Sequence, residues 1–323
     1  MFAENISTSM DYQIRSFFQE TVLEDCRATL DHYLGIPIVT VGEKLRLEEL
    51  AYHAGEKEED FMENAAQGVA HEAENMLSHP MNGTITLLIG KGYKGGSALR
   101  AGTLLLQKGY SVQALLIAPL EECPPLCQEM GLQFQEMGGT LHPFHEDLLK
   151  TGLLIDGLVG TGFKGSAQGT LAQMIDAANR SCQPILAIDI PSGLNADTGE
   201  VGSVAITATR TATMALPKIG FFLSDGWEKI GELTVIDIGM PQKFLDQAIP
   251  EAYLVNDGIC YLPSSFSTFD RFEMQELLSA PLSFETIQNF VDQQNQSILL
   301  RGPTEVLFQP GKKPIINAMA KCQ

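Results

Sequence analysis

Basic residues are scarce in this chain. Its 323 residues include 21 lysines and arginines against 40 aspartates and glutamates, a formal net charge of −19 at neutral pH. A field of that sign repels nucleic acid and anionic membrane surfaces, so neither is an expected partner. Cysteine is thinly spread. Cys26, Cys123, Cys127, Cys182, Cys260 and Cys322 form neither a Cys-x-x-Cys zinc pattern nor a disulfide framework. They read as thiols of a reducing compartment. No run of about 18 apolar residues is present to span a membrane. Met1-Phe2-Ala3-Glu4-Asn5 lacks the basic start of a secretory signal, so the expected location is cytoplasmic.

Apolar residues make up 44% of the chain, enough for a substantial core. The length fits roughly two domains of about 150 residues, or one large α/β domain with appendages. Residues 1–38 read as a helical extension, with Phe17, Val22, Leu23, Cys26 and Leu30 at helical spacing and Gly35-Ile36-Pro37 as its stop. Two further helices follow Thr40. After His79-Pro80 strands alternate with helices: strands at 84–89, 111–117, 152–156, 184–189, 204–214 and 232–238, and helices at 95–108, 121–130 and 168–180. That alternation predicts a Rossmann-like, doubly wound, mostly parallel sheet with helices on both faces, over residues 39–245. Residues 246–323 read as a short tail: a linker near 264–269, a helix near 283–294 and a hairpin-like stretch over 297–316. It is too small for an independent core and is expected to pack on the main domain or stay partly mobile.

Ligands of doubly wound sheets bind beyond the carboxyl ends of the strands, where three loops carry the chemistry. Gly90-Lys91-Gly92-Tyr93-Lys94-Gly95-Gly96 follows the first strand and precedes a helix, a context suited to phosphate. The second strand ends without the acid that ordinarily holds a ribose, which disfavours a conventional dehydrogenase. Asp156 closes another strand and is followed by Gly160, Thr161, Gly162, Phe163, Lys164 and Gly165. Asp189-Ile190-Pro191-Ser192-Gly193 forms the third loop. Ser192 is not in a nucleophile elbow and has no histidine near it in sequence, so it suits a cation or substrate contact better than nucleophilic attack. His142 and His145 are separated by a proline in an expected loop, a poor metal site.

Together these blocks resemble the YjeF N-terminal domain family, the NAD(P)H-hydrate epimerases. The resemblance rests on Phe61-Met62-Glu63-Asn64-Ala65, Asp156 to Gly162, Asp189 to Gly193, Ala215-Leu216-Pro217-Lys218 and Ile236-Asp237-Ile238-Gly239, in family order from about Thr40 to Pro241. It implies a metabolite-repair isomerase that interconverts the R and S forms of hydrated NADH and NADPH, with the hydrate as substrate rather than cofactor. It further implies a functional link to a dehydratase, a homodimer, and a potassium ion held by Asp156 and Ser192. The implied substrate-binding residues are Gly92, Tyr93, Lys94, Gly95, Gly96 and Ser97, then Gly160, Thr161, Gly162, Phe163 and Lys164, with Asp189. Asp189 and Lys218 are the implied catalytic pair.

The glycine loop departs from the family pattern. Lys94 stands where the family has the cation-ligating asparagine, and Ser97 where it has an acid. A lysine ammonium is itself a compact cation, so the expectation is that Lys94 fills the potassium position and pairs with Asp156. A serine hydroxyl is a poor base without an activator. The alternative reading is therefore a non-catalytic nucleotide-binding or scaffold module on the same fold. Ile298 to Val306 also resembles a strand of the ribokinase-like dehydratase domain, which would make the tail a vestigial remnant.

Overall fold

Strands that are apolar on both faces need cover on both sides, and in a parallel sheet crossover helices supply it. In the computed structural model of the chain, β2 (Ile85–Ile89) and β5 (Leu153–Gly157) have this character and are buried at every position. The structure describes residues 35–77, 83–255, 267–278, 283–301 and 305–317. β3 (Val112–Leu116), β4 (Thr140–Pro143), β6 (Ile185–Ile188), β7 (Arg210–Met214) and β8 (Glu232–Ile236) complete a seven-stranded sheet in the order β4-β3-β2-β5-β6-β7-β8. Every pairing is parallel. The expected doubly wound parallel sheet is the one the chain forms. β2 and β5 are neighbours although two further strands separate them in sequence, so the strand order reverses between them. The crevice beyond their carboxyl ends is the topological switch point.

The helices that cover this sheet follow from local signals. α1 (Val41–His53) starts at Thr40, whose Oγ1 accepts from the Glu43 amide at 3.2 Å. Asp197 Oδ1 accepts from the Val41 amide at 2.7 Å, tying the helix start to the loop after β6. α2 (Glu58–Met76) buries Phe61, Ala65, Val69 and Ala73 at helical spacing. α3 (Tyr93–Gln107), α4 (Pro125–Glu136) and α5 (Gly169–Arg180) are the crossover helices.

Two sequence expectations change here. β4 takes in His142 and Pro143, which had read as loop; proline is tolerated because β4 is an edge strand. Of residues 204–214, only Arg210–Met214 is strand.

The expected helical extension falls almost entirely outside the described residues, including Phe17, Val22, Leu23, Cys26 and Leu30. Its final residues, Ile36–Ile38, form the edge strand β1 instead of helix. Residues 264–266 of the expected linker also lie outside the described residues, as do Cys260 and Cys322.

A second, mixed sheet runs β1-β9-β13-β12-β11-β10. It combines β1 with β9 (Ala252–Val255), β10 (Ser267–Asp270), β11 (Ile298–Arg301), β12 (Glu305–Phe308) and β13 (Ile315–Asn317). The hairpin-like stretch is thus the β11–β12–β13 meander, preceded by α6 (Arg271–Leu278) and α7 (Phe284–Gln294). α7 carries a capping box between Ser283 and Thr286.

This sheet does not stand apart from the first. Ile38, Leu254, Ile298, Leu300, Val306, Phe308 and Ile316 share one apolar cluster with Ile190, Leu194, Phe221, Phe222 and Trp227. Phe222 and Trp227 meet edge to face at 4.9 Å between centroids. Trp227 is the single tryptophan of the chain, so its fluorescence reports on the shared cluster. Phe308→Ala is expected to cost about 3–5 kcal/mol. It should shift the urea transition seen by Trp227 fluorescence together with that seen by circular dichroism. A separate early transition in only one signal would show that the two sheets unfold independently.

Candidate active site

Glycines shape the loop after β2 in two ways. A Cβ at Gly90 would lie 1.6 Å from the Leu158 carbonyl oxygen, and one at Gly95 would lie 2.4 Å from that of Gly90. The first lets the loops after β2 and β5 pack backbone to backbone, and the second lets α3 pack against the start of its own loop. A Cβ at Gly92, the N-cap of α3, would meet nothing within 4 Å, so it leaves open space at the helix N-terminus, and one at Gly162 in the loop after β5 would likewise meet nothing. Such a terminus presents free amides to an anion.

Lys94 sits in the first turn of α3 and its side chain turns inward beneath the loop, 5% exposed. Its Nζ donates toward Asp156 Oδ2 at 3.0 Å, Val159 O at 3.2 Å, Ile190 O at 2.7 Å and Ser192 Oγ at 2.9 Å. Asp156 has no exposed side-chain surface. It also accepts from Leu158 N at 3.1 Å, Ser192 N at 2.8 Å and Ser192 Oγ at 2.6 Å. Ser192 Oγ in turn accepts from the Val159 amide at 2.9 Å. One ammonium therefore ties together the loops after β2, β5 and β6. Burial pushes the Lys94 pKa down, with Asp156 pulling against it.

A second buried pair lies beside the first. Asp189 follows β6 with φ 62°, and the Ile190 amide bonds the Ile188 carbonyl across it at 2.7 Å. Ala215, after the adjacent β7, repeats the arrangement with φ 58° and a bond from the Leu216 amide to the Met214 carbonyl at 2.7 Å. A three-residue turn of positive φ is a strained conformation for a residue with a Cβ. Two side by side mark the ends of β6 and β7 as the stressed part of the sheet.

Asp189 Oδ1 accepts from Lys218 Nζ, from the Met214 amide at 3.1 Å and from Thr213 Oγ1 at 3.4 Å. Oδ2 takes part in none of these bonds. Lys218 has no exposed surface and also donates to Thr213 Oγ1 at 2.8 Å and Met214 O at 3.4 Å. Burial would raise the Asp189 carboxyl, but Lys218, then Lys44, outweigh it and hold the carboxyl well below its usual range. Burial brings Lys218 down to about 8, against the pull of Asp189 and with the help of repulsion from Lys44.

The structure sorts the expected site residues into those that face the crevice and those behind it. Gly92, Tyr93, Gly162 and Lys164 are exposed, with Gly160, Thr161 and Phe163 partly so. Phe163 closes a turn through its amide to the Gly160 carbonyl at 3.0 Å. Lys94, Gly95 and Gly96 are buried behind the loop, and Gly96 faces Cys127. Ser97 Oγ bonds back to the Tyr93 carbonyl at 3.3 Å, a local helix bond that supplies no activating base. Lys218 reaches the crevice only through Asp189. Lys44, Glu48 and Thr213 are site residues the sequence did not single out: the first two lie within a helix expected after Thr40, the third within the expected strand 204–214. His142 lies on β4, and His145 Nδ1 accepts from the Asp147 amide at 3.3 Å.

With this geometry in hand, the comparisons with known proteins decide the family. The family model for YjeF-related protein N-terminus matches residues 58–220. The chain belongs to that family. Over 194 residues it is 34% identical to the NAD(P)H-hydrate epimerase of Rhodopirellula baltica, covering 58% of this chain and 78% of that protein. Over 195 residues it is 38% identical to the bifunctional NAD(P)H-hydrate repair enzyme Nnr of Moorella thermoacetica, covering 57% of this chain but 37% of the relative. The matched region thus spans little more than a third of that bifunctional protein. The crystal structure of yeast ynu0 shares the fold, with TM-score 0.54 at 16% identity over 64% of this chain and 93% of the yeast chain. Among the described residues no helix is long and apolar enough to cross a membrane.

The Lys94–Asp156 pair generates a stability prediction. Lys94→Met leaves a buried carboxylate uncompensated and is expected to cost about 3–5 kcal/mol. Lys94→Met combined with Asp156→Asn should recover part of that loss, because the second change removes the orphaned charge. Urea denaturation of both singles and the double measures the coupling. Strict additivity would contradict it.

Proposed function

We propose that this protein is an NAD(P)H-hydrate epimerase, with the hydrated dinucleotide held across the crevice between the loops after β2 and β5. The observation that carries the reading is the ionised Asp189 on its strained turn at the sheet's carboxyl edge, its side chain 15% exposed, with one carboxylate oxygen anchored by Lys218 and the other outside those bonds. Adding water to the enamine bond of a dihydronicotinamide ring places a hydroxyl beside the ring nitrogen. Inverting that carbon requires the hydroxyl to leave as water, with the nitrogen lone pair forming a C=N bond, and water to return on the other face. The departing hydroxyl takes a proton from solvent, and the water that returns gives one up. Asp189 is the group placed to take it. Lys218 acts through Asp189 as a positioning residue, and the open N-terminus of α3 suits the pyrophosphate.

Potassium does not fit this site alongside Lys94. The ammonium already occupies the space between Asp156, Ser192 and two carbonyl oxygens, at 2.7 to 3.2 Å from each. Lys94 thus holds the three loops together in place of an ion. The functional link to a dehydratase, which would consume the epimerised product, belongs to the same proposal.

The direct test is conversion of R- to S-hydrated NADPH, followed by chiral separation, with and without potassium. Turnover is expected in both conditions; absence of turnover in both would reject the epimerase reading and favour the non-catalytic binding module suggested by Ser97. Where turnover occurs, kcat/KM should decline above about pH 8. There Lys218 loses the proton that gives Asp189 its counter-charge. A profile flat through pH 9.5 would remove Lys218 from the mechanism.

A further inference from the structure

The strand and helix that precede the main sheet in sequence return to the site. Val39 pairs in parallel with Lys218, through Val39 N to Pro217 O at 3.0 Å and Ile219 N to Val39 O at 2.9 Å. Thr40 then caps α1, and the loop after Asp189 anchors the same helix start through Asp197. The first turn of α1 is thereby fixed against both ends of the Asp189–Lys218 pair. Lys44 lies on that turn. Its side chain is 12% exposed and its Nζ lies 2.8 Å from Glu48 Oε1, whose side chain is 14% exposed. A helical i,i+4 ion pair ordinarily lies in solvent and contributes little. This one is largely enclosed beside two other buried charges.

The donor count separates the two lysines. Lys218 has three acceptors, Asp189, Thr213 and Met214, and no exposed surface. Its ammonium is spent. Lys44 has Glu48 as its acceptor among the described residues, which leaves two N–H donors to offer. We propose that Lys44, held by Glu48, is the substrate-facing cation of this site and donates a hydrogen bond to an oxygen of the bound dinucleotide across from Asp189. The proposal rests on the assignment of this crevice as the dinucleotide site.

The electrostatics are consistent with a permanent cation. Burial would lower the Lys44 pKa, but Asp189 and Glu48 outweigh it and raise it, so Lys44 stays charged where Lys218 at about 8 begins to lose its proton. The charged and titratable groups around it are Glu48 and Tyr52 on its own helix, Asp189 after β6 and Lys218 after β7. Lys94 also feels the charge of Asp189. A charge that only donates and orients holds a ligand; it does not shuttle protons.

Lys44→Met and Lys44→Arg test this in the full chain, with thermal melts confirming that each is folded. Binding of hydrated NADPH by calorimetry is expected to weaken about 10- to 100-fold in Lys44→Met, and Lys44→Arg should restore most of it. If the protein turns over, the alkaline limb in Lys44→Met should also move above pH 8, because a repelling charge near Lys218 is gone. Unchanged affinity in folded Lys44→Met, or an equal loss in Lys44→Arg and Lys44→Met, would overturn the proposal. If Lys44→Met fails to fold, Glu48→Gln replaces it. Freeing the ammonium from its carboxylate while keeping its charge should change affinity at least threefold, and no change would count against the role. Wild-type binding without epimerisation, lost in Lys44→Met, would sink the epimerase assignment and leave the Lys44 contact standing.

Discussion

The arrangement of this crevice depends on a single ammonium placed among four oxygens. Lys94 reaches its acceptors from positions 62, 65, 96 and 98 residues away in sequence, and in doing so fixes the loops after β2, β5 and β6 against one another. A buried cation without partners would be expelled or neutralised, and a buried carboxylate without partners would be too. Each enforces the other. Asp156 adds to the constraint because its remaining acceptor sites are filled by Leu158 N, Ser192 N and Ser192 Oγ. The result is a rigid floor under the open glycines, and the Asp189 turn ends at Ile190, whose carbonyl Lys94 holds.

The second pair uses that rigidity. Strained positive-φ turns at Asp189 and Ala215 persist only where the surroundings over-determine them. Here the floor holds one turn, β7 and β8 hold the other, and Lys218 bridges back to Asp189. Two lysine–aspartate pairs in one dry region also set each other's charge. Lys94 feels Asp189, and Lys218 is depressed by burial and by Lys44 in spite of its aspartate. Asp189 is thereby kept ionised, with Oδ1 committed to Lys218, Met214 and Thr213.

The second sheet shows how sequence order and spatial order can differ. Residues 36–38 precede the main sheet yet pair with 252–254 at its other end. Ile38 then shares a cluster with Trp227 and Phe308, and Ile36 packs against that cluster. The same N-terminal segment brings α1, and with it Lys44, to the site. Read locally, Lys44 and Glu48 are an ordinary helix pair; only the Val39–Lys218 pairing reveals what they face.

The parallel architecture was legible because its signals are local: apolar runs such as Ile85–Ile89, helix starts such as Thr40, and strand-terminal Asp156 and Asp189 followed by glycine or proline. The same locality made the three loops legible as a site, and a resemblance carried by several blocks in register supplied the chemistry. Local pattern could not separate the residues that face the crevice from those beneath it, which is why Lys94, Gly95 and Gly96 had read as contacts. It could not show β4 either, since an edge strand ending in His142-Pro143 lacks the continuous apolar run of a central one. The sequence by itself determined which residues end each strand, and hence which groups gather at the sheet's carboxyl edge. Burial and pairing across 60 to 100 residues were decided by the tertiary structure alone, because a buried charge finds its partner through the packing of the whole sheet and not through its neighbours in the chain.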